Sequence, residues 1–160
     1  MADFKIRPIS PSRYNESQRF HTYPLSAGQD FQKGAPVVLE AGGTVAETGT
    51  DPASILGFAT SDKSGYDWQT DSFGHVTPRV PVAESTQEFR GTLTGTHAAA
   101  TDVGAEFGLV EDGTTGYWVV DRTETAAARV TIIGVEDEAV DGDTNVPVRF
   151  IVLSANRQVV

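Results

Sequence analysis

The chain has 160 residues, 39% of them apolar, with 16 glycines, 8 prolines and no cysteine. That length suits one domain with a real core, and the missing cysteine excludes disulfides, thiolate metal sites and cysteine nucleophiles. A formal net charge of −10 argues against nucleic acid and anionic membrane surfaces as main partners, because both call for clustered Lys and Arg.

A turn-rich chain of modest apolar content fits short strands better than long helices. No stretch approaches the length of a membrane span. No signal peptide is expected either, since residues 1–24 hold no apolar run and are interrupted by Pro8, Pro11 and Pro24. The charge is uneven: residues 1–24 carry four basic and two acidic residues, residues 25–160 eight basic and 20 acidic.

Residues 1–24 read as an extended N-terminal arm, and residues 25–160 as the folded domain. Neither a helical nor a strand period persists in the arm. Yet Phe4, Ile6, Ile9, Tyr14, Phe20 and Tyr23 are too many large apolar groups for a freely solvated tail. The arm therefore either packs on its own domain or lies across a neighbour. With Arg7, Arg13 and Arg19, these residues form the candidate contact surface toward a partner.

From Phe31 the pattern changes. Gln32 to Leu39 is a turn feeding a β-rich run, Ala41-Gly42-Gly43 turns the chain, and Thr44-Val45-Ala46 restarts it. Asp51-Pro52 opens another turn. Ile55 to Thr60 is the next strand, and its Gly57 marks a bulge or a close backbone approach. Residues 61–77 are a long polar loop with Tyr66, Trp68 and Phe73, which either fold back over an open barrel end or face a partner.

Arg79 to Ala83 and Glu88 to Leu93 are short alternating strands. Ala98-Ala99-Ala100 fits one helical turn. Gly104 to Val110 leads to a turn at Glu111-Asp112-Gly113, and Tyr117 to Asp121 is β by residue type. Arg129 to Val135 alternates most clearly and pairs with Val146 to Leu153, with Glu136 to Asn145 as the hairpin loop. The expected fold is all-β: a compact antiparallel barrel or a sandwich of about eight to ten short strands.

Chemistry-bearing patterns are sparse. His21, His75 and His97 lie apart in the sequence, each reading as a surface or polar-contact residue. No phosphate-loop, nucleophile-elbow or zinc-protease motif occurs. Asp141, Asp143 and Asn145 have the alternate spacing of a calcium loop, but Val152 and Leu153 stand where its closing glutamate belongs. No catalytic residue, cofactor or metal is therefore assigned, and the chain is not expected to be an enzyme.

Phe31-Gln32-Lys33-Gly34-Ala35-Pro36-Val37-Val38-Leu39, then Gly42 to Glu47 and Ile55-Leu56-Gly57-Phe58-Ala59, resembles the decoration (cement) proteins of tailed-phage heads. Gly104 to Leu109 and Gly116 to Asp121 look similar to the second half of such proteins. The resemblance spans roughly residues 30–155. It implies a β-barrel or β-tulip body bound outside the capsid, in the virion, as a trimer or dimer. The partner would be the major capsid protein, which the body clamps while the arm reaches along the shell or into a neighbouring subunit. A carbohydrate-binding or host-attachment module, with Tyr66, Trp68 and Phe73 as stacking platform, is the alternative.

Overall fold

The computed structural model describes residues 5–9, 20–62, 67–70, 76–136 and 139–159, with backbone alone at 67–70, 76 and 77. Its strands are β1 (Arg7–Pro8), β2 (Phe20–Pro24), β3 (Pro36–Leu39), β4 (Val45–Glu47), β5 (Gly57–Ala59), β6 (Asp67–Thr70), β7 (Val76–Glu84) and β8 (Glu88–Thr96). One helical turn, α1 (Ala99–Asp102), precedes β9 (Glu106–Glu111), β10 (Trp118–Asp121), β11 (Val130–Val135) and β12 (Thr144–Val152). The all-β expectation holds. The strand count exceeds the expected range because β1 and β2 form inside the arm and β6 inside the aromatic loop.

Five strands close into a barrel in the order β8-β10-β9-β11-β12, with β12 paired back to β8. A ring of strands that alternates in direction cannot close on an odd number, so one neighbouring pair has to be parallel. That pair is β8 and β10, which meet at Leu93 and Val120, while the other four pairings are antiparallel. Alternation chooses the inward face. Val146, Val148, Phe150 and Val152 of β12 are buried, and so are Val130 and Ile132 of β11. The expected β11–β12 hairpin forms, and the structure sets its register, Val130 opposite Val152, with a bulge between Ile132 and Gly134.

The second sheet runs β2-β7-β5-β3-β4. Its hub is β7, which carries β2 along Arg79–Ala83, β6 along Val76–Arg79 and β5 along Val82–Glu84. A bridge from Leu25 to Val45 brings the two ends of this sheet together. Gly57 is where backbone crowding demands glycine: a Cβ there would lie 2.0 Å from the Ala83 carbonyl oxygen. The close approach expected at this residue is thus real.

Both sheets share one core. Phe58 of β5 packs at 4.5 Å from Phe89 of β8, and Phe150 of β12 lies within 6.0 Å of both rings. β7 leaves the second sheet and passes directly into β8 of the barrel. The chain then returns near its end: Ile55 N–H donates to Asn156 O, Gln158 N–H to Ile55 O, and the Gln158 amide holds both backbone groups of Leu39.

Candidate functional site

The described part of the arm lies on its own body. Ile6 is 1% exposed and belongs to the core. β1 pairs with Arg90 and Phe89 of β8, and Ile9 N–H donates to Glu88 O. Gly34 makes room for this segment: at φ +91, any Cβ would stand 2.8 Å from the Ile6 nitrogen. Lys5 places its ammonium 4.6 Å from the Tyr117 ring centre. Ile6 is therefore a core residue and not a free contact. Arg7 stays exposed and Ile9 is half-buried.

β2 forms an edge of the second sheet. Phe20 is 43% exposed, and His21 reaches Glu84 at 2.7 Å. Tyr23 packs against the core, and burial, with Glu84 nearby, pushes its hydroxyl up from the ordinary value. Phe4, Arg13, Tyr14 and Arg19 lie outside the described residues, as do Tyr66, Phe73 and His75. Trp68 sits on β6 opposite Pro78.

The acidic hairpin loop is tied down by its own oxygens. Asp141 accepts from Ala99 N–H at 2.7 Å, Asp143 from Val140 N–H at 3.0 Å, and Asn145 from Gly95 N–H at 3.3 Å. The three side chains with calcium-loop spacing thus serve three separate backbone amides. Among the described residues no group of three or more His, Asp or Glu is arranged to hold a metal.

This loop covers a polar cluster that spacing alone does not reveal. Asp102 is 0% exposed and His97 3%. His97 Nδ1 lies 2.6 Å from Asp102 Oδ2, and the Arg122 guanidinium grips both Asp102 oxygens. Ala98 N–H adds a bond to Oδ2 at 3.0 Å. Burial alone would raise the Asp102 carboxyl; the bonds from Arg122, Ala98 and His97 outweigh it and hold the group below the ordinary value. His97 Nε2 faces the Asp141 carboxylate at 3.9 Å, and its backbone exchanges bonds with Asp143 and Gly142. An Asp–His pair is half of a hydrolytic triad, but here the far ring nitrogen points to a carboxylate. The arrangement fastens α1 and the acidic loop to the barrel.

A second cluster lies between the sheets. Trp118 of β10 donates from its indole nitrogen to Glu47 of β4 at 2.8 Å, and Gln29 accepts from Glu47 N–H at 2.9 Å. Glu111 stands opposite Trp118 in the β9–β10 register. On the outer barrel wall, Thr92, Thr94, Glu111, Asp112, Val119 and Asp121 line an open recess of about 380 Å³. Asp112 is held below its ordinary value by bonds from Thr115 and Thr114.

No protein-family model matches the chain, and no curated protein matches it.

Proposed function

We propose that the chain is a non-catalytic virion protein that decorates the outer surface of a tailed-phage capsid. It stabilises the mature head by bridging neighbouring subunits of the major capsid protein, and it acts as a trimer or dimer. The observation that carries this reading is the division of labour along the chain. A body of two sheets on one core is built for rigidity, while the described arm segments 5–9 and 20–24 add short strands to it, bury Ile6 and leave Arg7 and Phe20 exposed. A clamp on a shell needs contact area on more than one subunit, and repeated modest contacts multiply into tight attachment. The acidic recess and acidic loops suit basic partner segments, and they argue against nucleic acid.

Co-sedimentation with mature capsids that lack the protein tests the proposal. Saturation at a fixed copy number, a simple multiple of the lattice sites, is the expected result; no binding to expanded capsids removes the reading. Deleting residues 1–24 is a poor probe of docking, since it strips Ile6 from the core. Arg7→Glu with Phe20→Ser alters the exposed arm alone. We expect this pair to weaken capsid binding while leaving the melting temperature near the parent's.

A further inference from the structure

Three arginines stand in one row across the outer barrel wall. Arg7 of β1 and Arg149 of β12 both lie directly opposite Arg90 of β8, one on each side of it. Directly opposed residues share a face about 5 Å apart, and like charges placed so repel. The face is the outward one, because the chain neighbours Ile6, Phe89 and Phe150 belong to the core. Arg7 and Arg149 are exposed. Gly134 stands opposite Arg149, whose guanidinium lies over it: a Cβ there would be 2.6 Å from Nη2.

The chain does little to neutralise this row. Arg90 Nε meets Glu136 Oε1 at 3.0 Å. Among the described residues Arg7 and Arg149 have no ion pair. Glu88, the preceding outward residue of β8, stands opposite Ile151. In a chain of net charge −10, the row is a standing repulsion that an anionic partner relieves.

The acidic recess adjoins the row on the same wall. Thr92 and Thr94, the outward residues of β8 that follow Arg90, line it together with Glu111, Asp112 and Asp121. No Lys or Arg lines it, and Arg122, the residue after Asp121, is spent on Asp102. With about 380 Å³ of open space, the recess admits a guanidinium head. A positive row beside a negative recess makes the wall complementary to itself. A two-fold rotation lays the row of one copy on the recess of another and returns the same contact the other way round.

We propose that this wall joins two copies of the chain across a two-fold axis, the Arg7–Arg90–Arg149 row of each seated on the Glu111–Asp112–Asp121 recess of the other. Guanidinium and carboxylate pair through two parallel N–H bonds, which fixes geometry as well as charge. The contact is exposed at its rim, so salt weakens it. It is a contact between copies in solution and does not rest on the capsid reading.

Sedimentation velocity of the full chain at about 100 µM tests the proposal, from about 0.01 M to about 1 M salt. Twice the chain mass is expected at low salt, falling toward the single chain as salt rises. Arg7→Glu with Arg149→Glu inverts the row, and Glu111→Lys with Asp121→Lys inverts the recess. Each double variant alone should be monomeric, its dissociation constant raised at least about tenfold. Mixed, the two should form a one-to-one heterodimer, since both row-to-recess contacts are then between opposite charges. Both variants remain net acidic, so overall charge does not drive that pairing. A monomeric parent at low salt overturns the interface. So does a three-chain mass, a dimer that survives inversion of the row, or two folded variants that ignore each other.

Discussion

At the scale of single residues, the most consequential side chain is Asp102. It is fully buried and charged, and it is tolerated because Arg122, His97 and Ala98 N–H satisfy its oxygens. Removing one partner from a buried pair strands the other charge, at a cost of about 3–5 kcal/mol. Arg122→Ala should lower the unfolding free energy by an amount of that order, read from urea denaturation as a lower midpoint. The sign of the pH dependence also follows. A depressed carboxyl contributes stability above its unfolded value and loses it as pH falls through the folded one. Stability curves for Asp102→Asn should lack that acid loss while being lower at neutral pH; a parallel acid branch in both proteins would contradict this account. None of the cluster was legible in the sequence. His97 and Asp102 stand five residues apart, Arg122 is twenty further on, and no periodic pattern joins them. Gly57 was legible, because a glycine inside a β-rich run signals close approach. Gly57→Ala drives a Cβ into the Ala83 backbone and should destabilise by about 3 kcal/mol, read from chemical denaturation.

At the scale of elements, the barrel strands with strong alternation were read correctly. The β11–β12 hairpin forms where residue type placed it, and the helical turn expected at Ala98-Ala99-Ala100 runs from Ala99 to Asp102. The arm was not legible in detail. β1 is two residues long and draws its order from the edge of β8, not from its own sequence. β2 likewise depends on β7, where Val80 and Val82 meet Tyr23 and His21. Gly34 gates the first contact. Gly34→Ala should release the segment around Ile6, seen as faster amide exchange at residues 5–9 with the barrel amides little changed. Protection equal to the parent's would show that the segment does not need the glycine. The acidic hairpin loop behaves likewise: its connection was foreseen, but its anchoring to the 95–99 segment depends on contacts across the fold.

At the scale of the whole molecule, the question is whether the barrel and the second sheet behave as one unit. Phe58, Phe89 and Phe150 bridge them, and the core runs without a break from Val37 to Val152. Trp118 of the barrel also bonds to Glu47 of the other sheet. A single cooperative transition is expected, with far-ultraviolet dichroism and tryptophan emission coinciding. Phe58→Leu should shift both probes together by about 1 kcal/mol. Separated midpoints would instead mean two folding units.

The sequence by itself determined the class of this protein. Residue type and two-residue alternation specify strands, glycine and proline place turns, and both act over a few residues. The absence of cysteine and the sign of the net charge likewise need no coordinates. Only the tertiary structure decided that the strands form one closed barrel and a second sheet, with one parallel seam where an odd ring meets itself. It alone placed Ile6 in the core, Asp102 between Arg122 and His97, and Glu47 against Trp118. Those outcomes depend on long-range pairings, such as Arg7 with Arg90 beside Ile6 and Glu47 with Trp118, 71 residues apart. Such pairings are decided by competition for shared core volume and for hydrogen-bonding edges, which no local stretch of sequence encodes.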